Sequence, residues 1–206
     1  MEEEVIDPWW KRPLMIILSL FLLLIITTWT FAIYGGRVDP EPSAIPSIGE
    51  VVPTFVFENL THKVFGPDDY YRLVNPSDPL IKGAADLIVT YGCDGNKVCQ
   101  AKSIYYFIRD KYRYISDPIT TEYVKDPMEF LVIGGGDCED GTIALANLLG
   151  AIGIRTEFVF SPNHVFLKAY LPEATKRYQK DGWVYMDWTC HNCKFGEISP
   201  DVAKYI

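Results

Sequence analysis

Histidine is scarce and basic runs are missing: the 206 residues hold three histidines and no block rich in lysine or arginine. The first shortage leaves only His62, His164 and His191 as candidate imidazole bases. The second, with a formal net charge of −8, argues against a nucleic-acid partner, because phosphate binding needs a basic surface that releases counterions. No internal repeat is found. The length holds one ordinary domain and an appendage.

What is abundant is concentrated. Leu14 to Tyr34 carries no charged side chain and accounts for the excess in an apolar share of 49%. A helix needs about 20 such residues to span a bilayer core. Residues 1–13 then read as a cytoplasmic N-terminus, with Lys11 and Arg12 on the inner side and Trp9 and Trp10 at the interface. Everything beyond Arg37 is expected outside. A cleaved signal peptide is the rival reading, but its apolar core is usually shorter, and no convincing Ala-x-Ala site follows.

Five cysteines follow the apolar run, and outside the cytoplasm an odd count means pairs plus one free thiol. Cys93 lies close to Cys99, and Cys190 to Cys193. Cys138 is left alone. Zinc held by the four paired cysteines is the alternative, less favoured for an exported domain. The Cys190-His191-Asn192-Cys193 run superficially matches a thioredoxin motif, but it comes too late in the chain to precede that fold's remaining elements.

Residues 35–79 read as an extracytoplasmic stalk, with a proline-spaced stretch from Val38 to Ile48 that should stay extended. Within it, Val51 to Phe57 could form a strand, and Asn59-Leu60-Thr61 fits a glycosylation acceptor. The domain is expected over residues 80–206. Helices are predicted over Ile81–Tyr91, Val98–Tyr112, Asp126–Val132 and from Cys138 to a stop at Gly153. Strands are predicted over Ile154–Phe160, His164–Leu171 and Trp183–Trp188. Helices followed by strands without alternation give an α+β fold with an antiparallel sheet.

Cys138 is predicted at a helix start, where unpaired N–H groups and the helix dipole favour a thiolate. Gly134, Gly135 and Gly136 before it would allow a tight turn and close approach of a substrate main chain. A buried, inert cysteine is the alternative. His164 opens one strand, and Asp187 ends an otherwise apolar strand where a carboxylate needs a partner. A hydrogen bond between them would fix the imidazole tautomer and stabilise the imidazolium.

The runs Gly134 to Asp140, Leu148 to Ile154, Asn163 to Leu171 and Trp183 to Thr189 together resemble the core of the transglutaminase-like superfamily of papain-like thiol enzymes. Tyr114 to Pro118 and Cys193 to Ile198 resemble archaeal membrane-anchored members. The resemblance covers roughly Leu80 to Ile198. It implies a cysteine on a helix, a histidine on a strand and an aspartate on the next, here Cys138, His164 and Asp187. It also implies an oxyanion hole from the Cys138 amide and an upstream donor, for which Tyr114 is the candidate, with aromatic packing its alternative role. Phe166 stands where the family commonly has tryptophan, and Asp187-Trp188-Thr189 where it has Asp-Pro-Thr. Both departures are expected to reshape the substrate groove.

The function implied is a membrane-anchored thiol enzyme acting on peptide or carboxamide bonds, hydrolytic rather than cross-linking. It needs no cofactor and no metal, and its partners are the membrane and a peptide or protein substrate. A protein cross-linking acyltransferase and a catalytically idle membrane-anchored binding module of the same fold are the alternatives.

Overall fold

The computed structural model describes residues 10–52, 67–117 and 123–205. The chain divides into two compact units, Met1–Asp39 and Pro40–Ile206. Among the described residues the first holds a single helix, α1 (Lys11–Val38). It is long and apolar enough to cross a bilayer. Its hydroxyls bond back to the helix, Ser19 Oγ to the Ile16 carbonyl at 2.8 Å and Thr27 Oγ1 to the Leu24 carbonyl at 2.9 Å. Those donors are met without water.

The second unit begins with α2 (Ile48–Val51), α3 (Pro67–Tyr70) and a short 3-10 turn, Tyr71–Leu73. Three helices then start on short acceptor side chains. Asp78 caps α4 (Pro79–Gly92), accepting from the Leu80 amide at 2.8 Å. Asn96 caps α5 (Lys97–Lys111), accepting from the Val98 amide at 2.9 Å. Asp126 caps α6 (Pro127–Ile133), accepting from the Met128 amide at 2.9 Å. These caps set the starts of α4 and α5 one or two residues before the apolar periodicity does.

A two-residue parallel ladder joins β1 (Arg113–Tyr114) to β2 (Gly135–Gly136). Helix α7 (Cys138–Ala151) follows, buried at every residue from 139 to 149. It packs on α4, α5 and α6, and also against β3 (Thr156–Ser161) and β4 (His164–Tyr170). With β5 (Gln179–Lys180) and β6 (Trp183–Met186), these strands form one antiparallel sheet in the order β3-β4-β6-β5. Helix α8 (Pro200–Ala203) ends the described fold. The architecture is α+β, as the sequence implies.

Two strand limits move for physical reasons. β3 starts at Thr156 because the Ile154 amide still bonds the Leu149 carbonyl of α7, at 3.0 Å, with Gly153 in left-handed backbone. β6 stops at Met186 because Asp187 begins a turn, its carbonyl accepting from the Cys190 amide at 3.3 Å.

The larger difference lies in the expected stalk. Residues 40–52 are irregular at first, but they dock on the domain rather than stand free. The Ser43 amide donates to the Gly92 carbonyl at 2.9 Å, and Glu41 meets the wholly buried Lys102 Nζ at 2.5 Å. Val51 is 3% exposed and ends α2 instead of opening a strand. Its burial with Val52 in the core offsets the cost of ordering the segment. Asn147 holds a further piece, accepting from the Asn75 amide at 2.7 Å and donating to the Leu73 carbonyl at 3.0 Å. The remainder of the expected strand, the glycosylation tripeptide and His62 lie outside the described residues.

Candidate active site

Cys138 is the first residue of α7 and the one free cysteine; Cys93–Cys99 and Cys190–Cys193 are disulfide-bonded. The turn before it is braced by a buried ion pair. Asp140 accepts from the Lys125 amide at 2.7 Å and Lys125 Nζ at 2.6 Å, and from the Asp137 amide at 3.2 Å. A Cβ at Gly136 would lie 2.3 Å from the Asp140 carboxylate, and one at Gly135 2.4 Å from the Arg113 carbonyl. These glycines therefore admit the protein's own groups, not a substrate main chain.

The base is carried by the neighbouring strand. Thr142, one turn beyond Cys138, donates to the Val165 carbonyl at 3.2 Å and ties α7 to β4 beside His164. His164 Nε2 meets Asp187 Oδ2 at 3.1 Å, and Asp187 is 1% exposed. The other carboxylate oxygen accepts from Thr189, at 2.7 Å from the hydroxyl and 3.1 Å from the amide. The Asp187 carbonyl accepts from the buried Tyr105 hydroxyl at 3.2 Å. His164 Nε2 is thus committed to Asp187, which leaves Nδ1 to act.

Cys138 and His164 line one cleft of about 380 Å³, together with Glu139, Tyr70, Phe160 and Asn163. His164 and Asp187 also line a second cleft of about 270 Å³ with Thr189, Cys190, Ser199 and Val202. The structure therefore gathers the three sequence-predicted residues around one imidazole.

The electrostatics differ from expectation. The Cys138 thiol is pushed up to about 12, by burial first and then by the Glu139 carboxylate, which accepts from Sγ at 3.0 Å. The Val165 backbone works in the opposite direction. The helix start favours a thiolate in principle, but Asp137, Glu139 and Asp140 in its first turn oppose the dipole. Asp137 is itself pushed up to about 8, by burial and then by the charges of Asp140 and Glu139. Its Oδ1 has no hydrogen-bond partner among the described residues.

A family model described as the transglutaminase-like superfamily matches residues 87–188, from the middle of α4 to the residue after Asp187. Residues 87–188 carry the transglutaminase-like fold. No curated protein matches it. Among solved structures, Legionella pneumophila LapG and its EGTA-treated form are similar at 23% identity and a TM-score of 0.40, covering 62% of this chain and 74% and 72% of theirs. Calcium-bound L. pneumophila LapG is similar at 23% identity, with a TM-score of 0.39 and coverage of 62% and 74%.

Within the transglutaminase-like domain, the two departures turn out to be buried. Phe166 stacks on the His164 ring at 5.7 Å, and Trp188 is wholly enclosed. The Trp188 indole donates to the Cys138 carbonyl at 3.2 Å, and its ring lies where a Cβ on Gly141 would stand 2.2 Å away. They support the reacting residues from behind and line neither cleft, which corrects the expectation that they shape the groove. Tyr114 pairs with Gly136 in the β1–β2 ladder, two residues before the nucleophile. It is 49% exposed, and its ring meets Trp188 at a tilt, with centroids 6.2 Å apart. Burial and the neighbouring Cys138 raise its phenol above the usual range. Sequence reasoning missed Glu139, Thr189 and the Lys125–Asp140 pair. Only Thr189 carried a signal, a hydroxyl two residues beyond a buried carboxylate.

Proposed function

We propose that the domain is a cysteine-dependent acyl-transfer enzyme that cleaves peptide or carboxamide bonds, held at a membrane by α1. The observation that carries this reading is the 3.1 Å contact of His164 Nε2 with buried Asp187, in an imidazole that shares a cleft with Cys138. His164 Nδ1 takes the Cys138 proton as sulfur attacks the carbonyl carbon. The imidazolium then protonates the leaving amine as the C–N bond breaks, leaving an acyl-thioenzyme. Water gives a proton to His164, adds to the thioester, and the C–S bond breaks with the proton returned to sulfur. The Cys138 amide and the Tyr114 hydroxyl are the assigned donors to the oxyanion. A lysine amine in place of water would give cross-linking by the same first half-reaction. Lys11 and Arg12 favour a cytoplasmic N-terminus and an extracytoplasmic domain.

The test is turnover of a quenched-fluorescent peptide library. Cys138→Ala should abolish it with the circular dichroism spectrum unchanged, and His164→Ala should be nearly as damaging. Asp187→Asn should retain more activity than either, since it disturbs orientation and charge rather than deleting a reacting atom. The wild-type rate should be lost at low pH, where no base is free to take the Cys138 proton. Full activity in Cys138→Ala would overturn the mechanism. One observation favours a second reading, an idle binding module: the thiol in contact with Glu139 is held protonated. An iodoacetamide probe near neutral pH separates the two, since a reactive thiol labels readily and an idle one does not.

A further inference from the structure

One wall of the Cys138 cleft is aromatic. Tyr70, which closes α3, and Phe160, near the end of β3, both line it, with their rings stacked at 6.1 Å and 27°. Phe158 lies two residues before Phe160, so both rings stand on one face of the strand. Its ring meets Tyr71 edge-on at 4.8 Å and Tyr70 at 6.2 Å. The four rings form one patch on the end strand of the sheet. Phe158 packs against the core, but the patch reaches well beyond it. Phe160 is 43% exposed and Tyr71 51%, although apolar rings gain by leaving water.

The register joins this patch to the reacting groups. Phe160 pairs with Val165, and Ser161 with His164, across the hairpin that carries the base. Val165 in turn lines the same cleft as Cys138. A peptide whose carbonyl reaches Cys138 therefore lays a neighbouring side chain against Phe160 and Tyr70. Glu139 lines the same cleft and disfavours an acidic side chain there.

We infer that Tyr70 and Phe160 form a specificity subsite for a large apolar side chain, aromatic foremost, flanking the bond that Cys138 attacks. This rests on the proposed acyl-transfer reading.

The test uses full-length protein in detergent and peptides differing only in Phe or Ala at the residues flanking the cleaved bond. Wild type should prefer Phe by about tenfold in kcat/KM, the order expected for a ring–ring contact. Phe160→Ala should erase that preference mainly by raising KM for the Phe peptide. Phe160→Tyr should restore it. Equal wild-type rates on both peptides, or an equal loss on both in Phe160→Ala, would overturn the subsite and leave the enzyme reading standing. Binding is measured separately by calorimetry in a Cys138→Ala background, with and without Phe160→Ala. If wild type cleaves neither peptide, the enzyme reading fails, and the subsite then stands or falls on whether that background binds the Phe peptide more tightly through Phe160.

Discussion

Burial first and then Glu139 hold the thiol of Cys138 in its protonated form, and the sign of the carboxylate's effect can be worked out directly. The carboxylate accepts from Sγ at 3.0 Å and adds a like charge to any thiolate formed there. Both effects raise the thiol, so their removal must lower it. Glu139→Gln should shift the pH midpoint of iodoacetamide labelling downward by at least about one unit and speed labelling near neutral pH several-fold. Burial remains in the variant, so the midpoint should stay above that of a free cysteine. An unchanged midpoint would mean that burial alone sets it. Cys138 and His164 were legible in the sequence because a helix start and a strand start announce themselves through glycine, apolar runs and period. Glu139 was not, because nothing in the order of residues says where a flexible carboxylate points.

At the scale of elements, the turn after β6 matters more than its length suggests. Asp187 is held by Thr189 on one oxygen and His164 on the other, and three residues beyond it Cys190 closes a disulfide to Cys193. The Cys193 carbonyl also accepts from Arg109 on α5 at 2.6 Å. The disulfide therefore closes the loop that aims the carboxylate. The double variant Cys190→Ser, Cys193→Ser should lose about 2 kcal/mol of stability, as expected for so short a loop, visible as a lower Tm. Its kcat should fall while KM stays near wild type, because Asp187 orients the base and does not touch substrate. A rise in KM together with the fall in kcat would point to general loosening instead. Period-two patterning reveals β4 and β6, but a turn held by carboxylate, hydroxyl and sulfur has no period. The β1–β2 ladder escaped for the same reason: two residues per strand leave no pattern to read.

For the whole molecule, the sequence placed the domain boundary at residue 80, where helical periodicity becomes strong. Physically, proline spacing argued for an extended stalk but said nothing about where its apolar residues would go. Val51 and Val52 bury against the core, and Glu41 neutralises Lys102, which sits under the Tyr178 and Phe195 rings. A chain beginning at Pro40 should fold cooperatively. One beginning at residue 80 should lose several kcal/mol, from the exposed core and the loss of the Glu41 carboxylate beside a buried cation, and unfold at markedly lower denaturant. Matching midpoints for the two would restore the shorter domain. Starting at Pro40 also removes three of the five tryptophans and keeps only Trp183 and Trp188. Of these, Trp188 is the wholly enclosed one, with its indole N–H on the carbonyl of the nucleophile. The protein therefore carries its own optical probe of the reacting residue, a lamp set directly behind Cys138 that brightens or shifts colour whenever the start of α7 moves.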